Sequence, residues 1–500
     1  MRDYLLLNIA SFFIDNWGWL VSIVYVIALV LICLRIIYDT RSNAKALAYL
    51  MLVIFVPLLG MFLYFSVGVN HRKRKIFSNK SMIDEKLAKK LREEVSRSAE
   101  HIFDKDNPAL EANKELALML IRDSMSPLTA NNKVKLLING ELKFPDVMEA
   151  IRSAKNHIHL EYYIYEDDEI GCEIEELLIQ KAKEGVDVRF IYDDFGSKTI
   201  RKKMVPRLKK GGVKAFPFYR VIFWAFANRL NYRNHRKIIV IDGHTGFVGG
   251  INVSDKYVNK EAPDKKRLFW RDTHLRIEGA GVLYLQYLFL CDWNFCSGDH
   301  LKLEQHFFPK ASDAPVRDGK IVQIAASGPD SEKPTVLFAL LQAIYLATEE
   351  ILITTPYFIP GDSILDALVV SALGGVKVKL LVPGISDSVL VNAAARSYYD
   401  DLLAAGVEIY FYKKGFVHAK TMVTDRKTVM VGSANMDYRS FDLNFEVNAV
   451  IYDKAMGEEL RAIFYDDLKD AERVDPERWK NRSWNQQLWE KTARLVSPLL

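Results

Sequence analysis

The sequence predicts an α/β fold of two similar lobes, each a mainly parallel sheet flanked by helices, preceded by a transmembrane helical hairpin. Three observations carry that prediction. Two long apolar runs open the chain, alternating β-branched and helical patterns fill the rest, and four segments of that rest recur in the same order. At 500 residues, half of them apolar and 26% charged, the chain needs more than one core.

The first apolar run, 20–38, is broken only by Ser22 and Arg35, and the second, 47–69, has no charge. Each suffices to cross about 30 Å of hydrocarbon at roughly 1.5 Å per residue. Trp17 and Trp19 stand where an interfacial aromatic belt would place them, and Arg35 can snorkel outward. Pro57 and Gly60 are tolerable in a spanning helix whose neighbours restore backbone partners. The short connection 39–45 makes the spans, about 19–38 and 47–69, a hairpin within residues 1–75. Segments before Trp17 suit an interfacial helix. Arg72, Lys73, Arg74 and Lys75 follow the second span and favour the cytoplasm for the remaining chain. Arg35, Arg41 and Lys45 load the loop as well and weaken that argument. Residues 76–133, helix-prone over 82–97, read as a helical connector.

Net charge is only +5, but Arg201, Lys202, Lys203, Arg207, Lys209, Lys210 and Lys214 form a second basic cluster. Such a cluster is a solvated helix face or a surface for anionic lipid or nucleic acid. The cysteines Cys33, Cys172, Cys291 and Cys296 lack metal-type spacing and fit a reducing compartment.

Beyond Val134 the self-similarity is explicit. Residues 158–164 match 353–359, 185–191 match 375–381, Gly212-Val213 match Gly406-Val407, and 235–242 match 418–425. One unit therefore occurs twice, as lobes 134–315 and 316–500, related by a pseudo-twofold axis with a shared site at the seam. The first copy carries an aromatic insertion, 216–234 with Trp224, that reads as a packed loop or as a lipid-facing lip.

In both copies the last match is H-x-K-x4-D followed by G-[GS]-x-N: His235, Lys237, Asp242 and Asn252, then His418, Lys420, Asp425 and Asn435. On a strand, His and Lys two apart share a face, whereas Asp five residues beyond Lys faces the other side. Two imidazoles facing one phosphorus divide a displacement: one attacks, the other protonates the departing oxygen and then deprotonates the incoming alcohol. Two ammoniums and two amides suit the non-bridging oxygens of a phosphodiester. A histidine base needs a partner on its other nitrogen, and Asp272 and Glu446 lie downstream as candidates. The scheme needs no metal, and no cofactor is expected.

These paired motifs resemble those of the phospholipase D superfamily. The resemblance covers nearly everything from Val134 onward and implies catalytic roles for His235, Lys237, Asp242, His418, Lys420 and Asp425. It implies a phosphohistidine, with His235 as nucleophile and His418 as acid/base. The hairpin, Asn234-His-Arg-Lys with Gly-Gly-Ile-Asn, Thr355-Pro-Tyr-Phe and the terminal Ser497-Pro-Leu-Leu resemble bacterial cardiolipin synthases. Those enzymes join two phosphatidylglycerol molecules into cardiolipin and glycerol at the cell membrane. Gly250 departs from a serine that Ser433 keeps, which puts that hydroxyl's hydrogen bond in doubt in the first lobe. A hydrolytic phospholipase D and a phosphatidylserine synthase remain open as enzymes. A nuclease is disfavoured by the two spans, so no nucleic-acid partner is expected, and a non-catalytic scaffold is disfavoured by the intact His and Lys.

Overall fold

The computed structural model describes residues 17–40, 43–65, 102–103, 107–124, 126–219, 232–259, 268–299, 301, 306–309, 319–386, 388–495 and 497. The expected interfacial helix before Trp17, the basic run after the second span, the helix-prone stretch 82–97 and most of the aromatic insertion lie outside these residues.

Among the described residues, the N-terminal unit has one helix, Trp17–Asp39, long and apolar enough to cross a membrane. The second apolar run is not one continuous helix. It forms Asn43–Phe55 and Pro57–Leu63, with non-helical backbone at Val56 (φ −135°, ψ 69°) between them. Pro57 has no N–H to give and crowds the preceding turn, so the helix breaks there. Gly60 meets the offset: a Cβ there would lie 2.5 Å from the backbone of Leu52. Ile36, Val53 and Tyr64 are buried between the helices, and Arg35 reaches Asp39 one turn on at 3.3 Å.

Among the described residues the body contains twenty strands. The first ten are β1 (Thr129–Ile138), β2 (His157–Tyr162), β3 (Asp187–Tyr192), β4 (Lys214–Pro217), β5 (Arg233–Asn234), β6 (Lys237–Ile241), β7 (Thr245–Gly249), β8 (Phe269–Arg271), β9 (Thr273–Glu278) and β10 (Lys320–Ser327). The others are β11 (Glu350–Thr354), β12 (Phe358–Ile359), β13 (Lys377–Pro383), β14 (Glu408–Tyr412), β15 (Gly415–Val417), β16 (Thr421–Thr424), β17 (Thr428–Gly432), β18 (Met436–Asp437), β19 (Asn444–Tyr452) and β20 (Ala471–Arg473).

One half of the main sheet runs β4-β3-β2-β6-β7-β9-β1 and the other β14-β13-β11-β16-β17-β19-β10, the same order twice. β20 adds an edge to the second copy. Each half is mixed rather than mainly parallel. β2, β3 and β4 are parallel neighbours, as are β11, β13 and β14, because helical crossovers link them. Tight turns carry β6 into β7 and β16 into β17, longer connections bring back β9 and β19, and β6-β7-β9 and β16-β17-β19 pair antiparallel. β1 pairs antiparallel with β10 and fuses the halves into one 16-stranded sheet. The connector helix Lys114–Ser124 packs on the second lobe, where Thr335 Oγ1 donates to Asp123 at 2.6 Å.

At the turns after β6 and β16, Asp242 and Asp425 adopt left-handed backbone (φ 52° and 51°), which a short polar side chain tolerates. The Asp242 carboxylate accepts the backbone N–H of Lys155, Asn156 and His157 at 2.8–2.9 Å. Asp425 accepts those of Thr348, Glu349 and Glu350 at the same distances. Each ties the start of β2 or β11 to the motif strand beside it. Asp425→Asn should lower stability by about 1–3 kcal/mol in denaturant titration and leave turnover per folded molecule unchanged. Lost turnover at unchanged stability would put the carboxylate back into the chemistry.

Candidate active site

The histidines reach the site on strands that leave their own lobe. β5 pairs in parallel with the start of β19, and β15 pairs with β8. His235 N–H then donates to the carbonyl of Phe445 at 3.0 Å, and His418 N–H to that of Arg271 at 2.7 Å. The residue after each acceptor is a carboxylate. Glu446 meets His235 Nδ1 at 2.9 and 3.0 Å, and Asp272 meets His418 Nδ1 at 2.7 Å. Each imidazole is therefore oriented by the other lobe. With Nδ1 occupied, Nε2 is the nitrogen left for chemistry.

Supporting contacts fix this frame. Asp193 accepts the N–H groups of Phe195, Gly196 and Asn234 and holds β5 in place. Asn234 donates to buried Glu161, and Arg236 reaches Asp292. Ser433 Oγ donates to Glu446 and accepts Val447 N–H at 2.9 Å. The first lobe has no counterpart to that hydroxyl. A Cβ at Gly250 would lie 2.2 Å from Asp272 Oδ1, so glycine makes room for the carboxylate, which takes Thr273 N–H at 2.7 Å instead.

Between the lobes lies a cavity of about 400 Å³ walled by His235 and His418. Asn252 and Asn435 also line it. Asn252 accepts Ile164 N–H at 3.2 Å and donates to Tyr257 Oη at 2.8 Å; Asn435 donates to Asp437 at 3.1 Å, and its buried Oδ1 has no partner among the described residues. Lys237 and Lys420 are buried and bend back on their own histidines, each donating to that residue's carbonyl. Lys420 Nζ also stands 2.9 Å from His418 Nδ1. Asp242 and Asp425, expected among the catalytic residues, are spent on backbone N–H groups behind the sheet and do not reach the cavity.

Burial dominates the electrostatics. It pushes His235 down to about 4 and His418 down to about 3, against the pull of Glu446 and Asp272. It also lowers Lys237 to about 7 and Lys420 to about 8. Burial works to raise the two carboxylates, but Lys420 and His418 hold Asp272 below its ordinary range, and His235 with Lys237 does so for Glu446. The imidazoles are thus held neutral against ionised carboxylates.

Three further cations line the cavity: Arg233, Lys256 and Arg439. Arg233, buried, lies over the Phe195 ring at 4.3 Å, and Tyr163 packs edge-on to His235 at 4.8 Å. On the other flank Lys256 lies over Trp270 at 4.6 Å, and Trp270 leans on His418 at 5.3 Å. Lys256 and Arg439 each stand four residues after a motif asparagine, a repeat match that could have marked them. Arg233 aligns with Phe416 and carried no such signal. In the other basic cluster, Arg207 pairs with Glu175 at 2.6 Å, Arg201 with Asp194 at 2.8 Å and Lys214 with Asp187 at 2.9 Å, the pattern of a solvated face.

A family model described as cardiolipin synthase, PLD-like domain, matches residues 147–262 and 340–468, once in each half of the sheet. Another, phospholipase D-nuclease N-terminal, matches 19–68. The cardiolipin synthase of Halalkalibacterium halodurans is 40% identical over 487 residues, covering 97% of this chain and 95% of its own. The major cardiolipin synthase ClsA of Bacillus subtilis is 40% identical over 485 residues, covering 96% of this chain and 99% of its own. Among solved structures, a phosphatidylserine synthase from Haemophilus influenzae covers 77% of this chain and 100% of its own at TM-score 0.57 and 13% identity, a likeness of fold. With relatives this similar along nearly its whole length, the chain belongs to the cardiolipin synthase family.

Proposed function

We propose that the protein is a cardiolipin synthase using phosphatidylglycerol as donor and acceptor. The observation that carries this reading is the cavity itself, with two oriented imidazoles between cationic flanks, Arg233 and Arg439 near His235 and Lys256 near His418. Joining two anionic lipids brings two phosphates into one cavity, and cations on both flanks suit that pair.

In the first step His235 Nε2 attacks the donor phosphorus and the bond to the headgroup glycerol oxygen breaks. His418, as imidazolium, gives that oxygen its proton, and glycerol leaves. A phosphodiester anion beside the ring favours the imidazolium that burial disfavours. In the second step neutral His418 takes the proton of the acceptor's terminal hydroxyl. The resulting alkoxide attacks phosphorus, the N–P bond breaks, and cardiolipin forms with His235 restored. Glu446 and Asp272 hold the tautomers, and Lys237 and Lys420 place positive charge behind the rings. The domain limits near residues 75, 133 and 315 are part of the same reading. So is a second span over 47–69, with the body on the cytoplasmic face of a bacterial cell membrane, an orientation that protease protection in sealed vesicles checks.

Purified protein with phosphatidylglycerol in mixed micelles and a chelator should yield cardiolipin and free glycerol by mass spectrometry. Phosphatidic acid with glycerol would make water the acceptor and the enzyme a hydrolase. His418→Ala should accumulate phosphoenzyme and His235→Ala none; the reverse pattern exchanges their roles. Glu446→Gln should slow formation of the phosphoenzyme by about 10²- to 10⁴-fold, although the carboxylate and His235 sit in different lobes. Full activity would remove it from the mechanism. Since kcat/KM reports the free enzyme, its acid limb should follow the nucleophile His235, with activity falling only as pH drops toward about 4. Its alkaline limb should follow Lys237 and Lys420, with activity falling as pH rises through about 7 to 8. An acid limb at the ordinary histidine value near 6.5 would contradict the neutral, buried state of the rings.

A further inference from the structure

The C-terminal helix Trp484–Leu495 is turned the opposite way to a helix that faces water. Its buried side carries Glu490 and Ala493. Glu490 is held there by Arg396 at 2.8 Å and Arg482 at 3.0 Å. Its outer side carries Trp484, 71% exposed, Leu488, 47%, and Leu495, 80%, which the helical repeat places on one stripe, while Trp489, 49% exposed, stands about 100° further round the helix from Leu488. The helix is firmly seated, because Arg494 lies over Tyr398 at 4.2 Å and Ser497 meets Tyr398 Oη at 3.2 Å. The outward apolar stripe is therefore a fixed surface of the second lobe, and a cover for it would remove several large side chains from water.

The neighbouring helix, Val389–Arg396, joins this surface to the cavity. Ser388 and Val391 line the cavity that holds the two histidines, while Val389 between them is 78% exposed and Ile385 is 45% exposed. Cavity wall and apolar face thus meet within one helical turn. Over residues 476–495, five Lys or Arg stand against two Glu, and Arg478, Lys480 and Lys491 are exposed. A basic rim beside aromatic and aliphatic groups matches an anionic interface with acyl chains behind it. A second copy of the chain on this face would crowd the route by which a two-chain lipid reaches the cavity.

We propose that this face docks the body on the bilayer surface, with Val389, Trp484 and Leu488 seated at the boundary between headgroups and acyl chains. The cavity then opens toward lipids that stay in their leaflet while their headgroups react. This rests on the phospholipid reading of the site.

The test uses the full chain. Leu488→Asp with Trp484→Asp should reduce turnover of phosphatidylglycerol in vesicles by about tenfold or more, while turnover of monomeric dihexanoyl phosphatidylglycerol stays unchanged. Equal turnover by variant and wild type on vesicles, or equal losses on both substrates, would overturn the docking. Independently of activity, a nitroxide on Leu488→Cys, with the four native cysteines replaced, is read in phosphatidylglycerol nanodiscs. Greater accessibility to oxygen than to a nickel chelate supports insertion. Access to the chelate, or shielding from both reagents, overturns it. A wild type that turns over neither lipid would sink the phosphatidyl-transfer reading, and the nitroxide would still decide whether this face lies in the bilayer.

Discussion

Everything at the candidate active site depends on an exchange of backbone between lobes. The two-residue strand before His235 pairs with the second lobe, and the strand before His418 pairs with a segment of the first. A hydrogen bond from each histidine's own N–H then sets its side chain opposite the carboxylate next in line. The register of two short parallel ladders thereby decides the tautomer of both rings. Lengthening either ladder by one residue would turn the carboxylate to the opposite face of its strand.

This frame also makes a dense set of buried charges tenable. Lysine, carboxylate and arginine groups are gathered under the histidines, and taking each from water is costly. Hydrogen bonds offset that cost group by group. Lys237 and Lys420 rest on carbonyls, Glu446 holds a histidine and a serine hydroxyl, and Arg236 holds Asp292. The two halves solve the same problem differently: Ser433 braces Glu446, whereas Gly250 clears space for the shorter Asp272. Duplication supplied the plan, and local packing then diverged.

Much of this was legible in the sequence, and the reasons are local. The repeated segments became β2 with β11, β3 with β13, β4 with β14 and β6 with β16, because hydrophobic patterns and flanking glycines act over a few residues. Alternation along the motif strands already pointed Asp242 and Asp425 away from the site. The crosswise partnership could not be read this way. His235 and Glu446 are 211 residues apart, His418 and Asp272 146, and nothing local to either says which lobe it will meet. The mixed sheet was missed because helical crossovers between β2, β3 and β4 suggested parallel pairing throughout, whereas the tight turns after β6 and β16 reverse the chain. Arg233 was invisible for the opposite reason: its counterpart is a phenylalanine, so a search for repeats passes over it.

The crosswise frame has a consequence in time as well as in space. During synthesis the apolar N-terminus emerges first, then the half that contains His235, while residue 446 is still untranslated. Until then His235 has no carboxylate at Nδ1, and Asp272 has no imidazole to orient. A polypeptide that stops short of residue 446 therefore lacks the carboxylate that orients His235. The paired arrangement exists only once both halves of the sheet are present in one chain.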